Sequence, residues 1–187
     1  MGPKTIIELC WAALSLYWLI TALGNKKIEV NENTGLRAFR MSMLVLVFVL
    51  MGTDWLRIGP LKWRFVPFNL NIIWLGVALT IAGVALAIWA RWTLGRNWSD
   101  KVVLKVDHEL IRSGPYKYLR HPIYTGVFVG LAGTALAIGE WRALLAVIVL
   151  GTNYCVKAVR EERILAAKFG DAFAEHKRGT GFFLPGL

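Results

Sequence analysis

The chain has 187 residues, of which 56% are hydrophobic and only 18% charged, and its net charge is +10. An average soluble domain carries about 45–50% apolar and about 25% charged residues, so this composition points to lipid rather than water as the main solvent. A nucleic-acid partner is excluded by the placement of the basic residues, which lie between long apolar runs, where anionic lipid head groups are the natural counter-charge.

A helix that crosses a bilayer needs roughly 20 mostly apolar residues. Five runs are candidates, and the expected fold is an all-α, polytopic membrane helix bundle forming one domain over residues 1–187. The first span covers 5–23. It lacks the basic start and small-residue cleavage site of a cleavable leader, so it reads as a resident helix. The second covers 38–56 and carries Asp54 near one end, where a solvated interface is expected. The third covers 70–94. The segment from Gly95 to Arg120 is the longest piece outside the spans, and KVVLKVDHELIRSGPY within it suits either a short strand or an amphipathic surface stretch. The fourth span covers 123–139 and the fifth 142–165. Only Gly139, Glu140 and Trp141 separate them, which forces an antiparallel helix hairpin. The fifth is expected to run on as helix beyond the membrane, into EERILAAKFG.

Small residues recur four apart on two spans, Gly83 and Ala87 on the third and Gly126 and Gly130 on the fourth, which lets helices approach closely in lipid. Cys10 and Cys155 show no spacing motif and read as small packing residues. The nine Trp suit membrane–water interfaces. Lys and Arg are split unevenly between the two sets of flanks. The amino terminus, second loop and fourth loop hold five, and the first loop, third loop and C-terminal tail hold seventeen. The positive-inside rule then places the amino terminus outside, with the third loop and C-terminus in the cytosol.

The chemistry concentrates in GPYKYLRHPIYTG, Gly114 to Gly126. Gly-Pro makes a turn, and Pro122 begins the fourth helix at a position where Pro is tolerated. Arg120, His121, Tyr124 and Thr125 therefore gather at a helix amino terminus, whose free N–H groups favour an anionic or oxygen-bearing ligand. At the far end of the fifth span, Asn153, Lys157, Arg160 and Glu161 fall at spacings of three to four and share a face. Glu162 follows. The hairpin returns this end to the side of His121, so the two regions are expected to form one pocket. Asn153 also reads as a helix-joining hydrogen-bond donor. His108 and His176 show no metal spacing and read as surface residues.

These elements occur in a particular order: LGRNWSD from Leu94, then GPYKYLRHPIYTG, a hydrophobic hairpin, a Glu pair, FG and a tail ending in LP. That order resembles the isoprenylcysteine carboxyl methyltransferase and phospholipid methyltransferase superfamily, over Leu94 to Pro185. The resemblance implies an S-adenosylmethionine pocket on the cytosolic side, built from the last two helices and the C-terminal tail. A lipophilic small-molecule or lipid-modified acceptor would enter from the bilayer. Tyr118, Leu119, His121, Pro122, Tyr124, Gly126, Glu161 and Glu162 would line the cofactor site. The tail from Phe182, with Leu184 and Pro185, would close over it. No metal is implied.

Carboxylates can accept hydrogen bonds from a ribose diol and attract an ammonium or a sulfonium. A carboxylate acceptor is ionised at neutral pH and needs only a cation to hold it, for which Arg120, Lys157 and Arg160 are the candidates. A thiol reacts as thiolate, and an amine must first lose a proton. A carboxylate or lipophilic thiol ranks first and a phospholipid amine second. The prenylcysteine enzymes tend to carry His after the Asn-aromatic-Ser element, where this chain has Asp100. A nicotinamide-dependent membrane reductase and a non-enzymatic membrane scaffold are the competing classes; the chain has no glycine-rich dinucleotide fingerprint.

Overall fold

The computed structural model describes residues 1–22, 34–95 and 110–186. Six α-helices make up the described chain: α1 Pro3–Ala22, α2 Thr34–Gly52, α3 Leu70–Leu94, α4 Pro122–Ile138, α5 Trp141–Phe169 and α6 Asp171–Gly179. Short 3-10 turns occur at Gly59–Lys62 and Gly114–Lys117, and no strand is present among the described residues. Asn97, Trp98, Ser99, Asp100 and His108 lie outside the described residues, as does most of the segment read as strand or surface stretch.

Local chemistry sets the helix ends. The Asn69 side chain accepts a hydrogen bond from the Asn71 N–H at 2.8 Å and caps α3. Pro122 opens α4, and Gly139 ends it with φ +71°, a left-handed conformation that suits glycine. The carbonyl of Gly139 then accepts from the Phe65 N–H at 2.9 Å. Both ends of the second span differ from expectation. The second span is 34–52 rather than 38–56, because the chain turns at Asp54–Arg57, where the Arg57 N–H bonds the Asp54 carbonyl at 3.0 Å. The fifth helix continues to Phe169, and Gly170 breaks it from the separate helix α6.

Pro3–Thr21, Leu70–Leu94 and Trp141–Phe169 are long and apolar enough to cross a membrane, while Ala38–Gly52 and Pro122–Ile138 are shorter apolar helices. At 1.5 Å per residue α4 is about 25 Å long, just under the ~30 Å hydrocarbon core. The chain is an integral membrane protein.

The small residues of α3 and α4 bring these helices into backbone contact. A Cβ on Gly126 would lie 2.6 Å from the Ala87 nitrogen and the Gly83 oxygen, and one on Gly76 would lie 2.5 Å from the Gly133 oxygen. Inside this seam the Thr80 and Thr134 hydroxyls are 3.1 Å apart, and the Trp11 indole N–H donates to Thr134 at 3.0 Å, tying α1 to the pair. Buried polar groups in lipid have no water to turn to, so this network is satisfied internally. Val47 and Leu50 of α2 pack with Leu131 of α4 and Ala143, Ala146 and Leu150 of α5 to form the larger apolar core. The α3–α4 seam thus fixes α4, and α5 leans on α4 through that core.

Candidate functional site

The start of α4 and the last third of α5 meet at the end of the bundle opposite the α4–α5 turn. His121 immediately precedes α4, with its side chain only 5% exposed. Its ring stacks on Tyr124 with centroids 5.6 Å apart and planes 8° apart, and Phe182 meets it edge-on at 5.0 Å. The two imidazole nitrogens face two carboxylates. Nδ1 is 3.7 Å from Glu161 Oε2, and Nε2 is 3.4 Å from Glu162 Oε1. The latter approach lacks hydrogen-bond geometry, so Nε2 is buried without a hydrogen-bond partner.

Each carboxylate has other partners. Glu161 accepts from the Tyr124 hydroxyl at 2.7 Å and lies 3.8 Å from Lys157 Nζ. Glu162 accepts from Arg120 Nε at 2.6 Å and from Lys177 Nζ at 3.0 Å. Arg120 and Glu162 are both 10% exposed at their side chains, so the pair is largely dry. Charge-assisted bonds of this length are strong, and removing one partner leaves a buried charge.

The C-terminal tail is tied across this cluster. The Arg120 N–H bonds the Gly181 carbonyl at 2.9 Å, and the Gly181 N–H bonds the Tyr118 carbonyl at 3.0 Å. The Arg120 guanidinium also donates to the Thr180 carbonyl, and the Thr125 hydroxyl lies 3.0 Å from the Phe183 carbonyl. Gly181 allows this path, since a Cβ there would collide with the Leu184 carbonyl. Ahead of the tail, α6 is held by Arg112, which bonds Glu175 at 3.1 Å and the Ala172 carbonyl.

Beside the cluster is a cavity of about 60 Å³ whose lining includes Tyr116, Arg120, His121, Phe173 and His176. It has room for a few waters and falls far below the roughly 300 Å³ of a ligand pocket. His176 was expected at the surface; it is buried, because α6 folds back onto Arg112 and the segment before α4. Burial lowers its pKa below the usual imidazole range, and the charges of Arg112 and Arg120 lower it further.

The residues singled out from sequence fall into three groups. Arg120, His121, Tyr124, Lys157, Glu161 and Glu162 converge, with Leu119 and Pro122 buried beneath them. Gly126 faces α3, where it serves helix packing. Tyr118 and Leu184 are each 55% exposed, and Pro185 is exposed as well, so all three lie at the rim. Arg160 is half-buried and makes no hydrogen bond or ion pair among the described residues. Asn153 donates to the Arg40 carbonyl at 3.3 Å and joins α5 to α2. Sequence reasoning missed His176, Lys177 and Gly181. The signal for Gly181 was a glycine directly before the Phe-Phe pair. His176 gave none, since its partners are far away in the chain. No group of three or more His, Cys, Asp or Glu is placed to hold a metal among the described residues.

A helical membrane scaffold with a paired-carboxylate, histidine and arginine cluster under a folded-back tail is the setting for the comparisons with known proteins. The phospholipid methyltransferase family model matches residues 71–172, more than half of the chain, and the chain belongs to that family. Among its relatives are the protein-S-isoprenylcysteine O-methyltransferase of Schizosaccharomyces pombe, 30% identical over 65% of this chain and 55% of that protein. Another is the cobalt-zinc-cadmium resistance protein CzcN of Cupriavidus metallidurans, 33% identical over 77% of this chain and 62% of that protein. A solved structure of the eukaryotic intramembrane Ras methyltransferase, an isoprenylcysteine carboxyl methyltransferase, shares the fold. It superposes with a TM-score of 0.56 at 24% identity, over 84% of this chain and 55% of that one. The chain thus spans 55–62% of the length of these relatives.

Proposed function

We propose that this protein transfers a methyl group from S-adenosylmethionine to a lipophilic acceptor at the cytosolic face of a membrane. The observation that carries the reading is the cluster of Arg120, His121, Tyr124, Glu161 and Glu162 under the tail, in a chain of the phospholipid methyltransferase family. The residues present fit the cofactor. His121 Nε2 is a buried polar atom awaiting a hydrogen-bond partner. Glu161 and Glu162 offer acceptors for hydroxyls and counter-charge for an ammonium. When bound, S-adenosylmethionine supplies a methyl group already activated by its sulfonium.

The chain's own tasks are then alignment and exclusion of water, since in-line displacement on an activated carbon needs two reactants held close and dry. Phe182 and Phe183 wall His121 on the tail side. Arg120 and Thr125 pin that tail by its carbonyls. The cavity is too small for a nucleoside, so in this reading the tail and α6 open for binding and close afterwards. Gly126 holds α4 against α3 and so keeps His121 in register.

The acceptor in the first reading is a carboxylate or a lipophilic thiolate. Arg120 and Lys157 already have carboxylate partners. Arg160 is then the cation of the three that is left to hold an incoming anion. A phospholipid amine is the second reading, favoured by the family description. By the excess of Lys and Arg in the third loop and tail, the amino terminus lies outside and this site lies in the cytosol.

The test is transfer of labelled methyl from S-adenosylmethionine to a panel of membrane-soluble acceptors: a thioether carboxylate, a long-chain thiol and a phospholipid amine. The expected result is labelling of the carboxylate or thiol, with Arg160→Met raising its KM about tenfold or more, as loss of a charged hydrogen bond does. Labelling of the amine alone contradicts the first reading. No labelling of any acceptor by folded protein contradicts the proposal.

A further inference from the structure

Tyr154 has no part in the reading above. It stands on α5 three residues before Lys157 and seven before Glu161, so the helical period puts all three on one face. Tyr124 of α4 faces them. The rings of Tyr124 and Tyr154 stack with centroids 4.6 Å apart and planes 27° apart. The Lys157 ammonium lies 5.2 Å from the centre of the Tyr124 ring and 3.8 Å from Glu161 Oε1. The Tyr124 hydroxyl donates to that same carboxylate oxygen at 2.7 Å. The Lys157 side chain is only 11% exposed, so its ammonium is held here rather than extended into water.

Aromatic rings beside a carboxylate are the surroundings that recognise ammonium and other onium groups. The present occupant is the Lys157 ammonium, 3.8 Å from Glu161 Oε1, and its four-carbon stem is flexible enough to swing aside. The arrangement is therefore one in which a resident cation holds a place that an incoming cation can take.

We propose that Tyr124, Tyr154 and Glu161 form a seat for an onium group of a ligand, which Lys157 fills until the ligand displaces it. The inference rests on the methyltransferase reading only for the source of that cation. It is either the sulfonium of the methyl donor or the head-group amine of a lipid acceptor. Lys157 then competes with the ligand, whereas an ammonium serving as anchor for an acceptor carboxylate would assist it. The two roles predict opposite signs on removal of the charge.

The test is a set of binding isotherms on the detergent-purified full chain, with Lys157→Met and Tyr154→Leu beside wild type. The probes are S-adenosylmethionine, the uncharged thioether S-adenosylhomocysteine, and dodecyltrimethylammonium. If the donor brings the cation, Lys157→Met tightens S-adenosylmethionine relative to S-adenosylhomocysteine by about two- to fivefold, the scale of an exposed-to-buried cation–aromatic contact. Tyr154→Leu shifts that ratio the other way. If the acceptor brings it, the ratio stays constant and dodecyltrimethylammonium shows both shifts instead. Lys157→Met weakening all three probes, or changing none, overturns the seat. A wild-type chain that binds neither adenosyl probe overturns the methyltransferase reading, while the dodecyltrimethylammonium isotherms still decide the seat. Should Tyr154→Leu fail to fold, the sign of the Lys157→Met effect carries the test alone.

Discussion

The two ends of the helix hairpin each carry a buried cluster of arginine and glutamate, and they are built differently. At the α4–α5 turn, Glu140 is gripped by Arg57 at 3.0 Å and by Arg142 at 2.7 Å. Arg142 also donates to the Leu50 and Thr53 carbonyls, which are left unpaired where α2 ends. Among the described residues every polar atom of that cluster's buried side chains has a partner. At the other end, Glu162 is likewise held by Arg120 and Lys177, but the cluster also contains an imidazole with a buried, unpartnered nitrogen. A cavity adjoins it, and the C-terminal tail is tied across it. Burial and charge are shared by both ends. Unused hydrogen-bonding capacity under the tail belongs to one of them, and that difference is what the proposed binding site rests on.

The largest expected effect is at the lock. Arg142→Met leaves Glu140 with one half-exposed partner and frees two helix-end carbonyls, so thermal unfolding in detergent should show a loss of about 3–5 kcal/mol. Cofactor affinity of the protein that remains folded should not change. Glu162→Gln should do the reverse, costing at least about tenfold in adenosyl-ligand affinity with a smaller drop in melting temperature, because Arg120 keeps its bonds to the tail carbonyls.

Acid should act at the tail end. His176 has a folded-state pKa lowered by burial and by Arg112 and Arg120, so the unfolded chain binds its proton first as pH falls. Its contribution is fully present above about pH 6.5 and is lost as pH falls from there through the lowered folded value. His176→Gln should remove that part of the pH dependence, read as melting temperature against pH. Smaller still, Thr125→Val removes one tail hydrogen bond of about 1 kcal/mol and should speed proteolysis of the last residues. Asp54→Asn should be nearly silent in thermal unfolding, since Asp54 is 80% exposed and 3.6 Å from Arg142.

How much of this was legible follows from how local each signal is. The helix at 70–94 is bounded by its own cap, Asn69, and by Gly95, and its limits are found as expected. The hairpin was fixed by its three-residue connection, and α4 and α5 begin within one residue of the expected positions. The Gly83/Gly126 approach was written in the spacing of small residues. The convergence of His121 and Tyr124 with Glu161 also followed, because the hairpin leaves α5 little choice. What escaped depends on distant partners. The Arg57–Glu140–Arg142 lock joins residues more than eighty positions apart, and nothing local distinguishes Glu140 from an ordinary turn residue. The folding-back of α6, which buries His176, is set by Arg112 and by Arg120, some sixty positions upstream. The Thr80–Thr134–Trp11 network, likewise, appears only once three helices are in contact.

The most direct measurement is calorimetric binding of S-adenosylmethionine to wild type, Glu162→Gln and Arg142→Met, each checked for folding and run beside a nicotinamide dinucleotide. The account predicts binding by wild type, at least about tenfold weaker binding by Glu162→Gln, unchanged affinity in whatever Arg142→Met protein is folded, and no dinucleotide binding. Equal losses in the two variants, or no adenosyl binding by well-folded wild type, would contradict the distinction between the two ends.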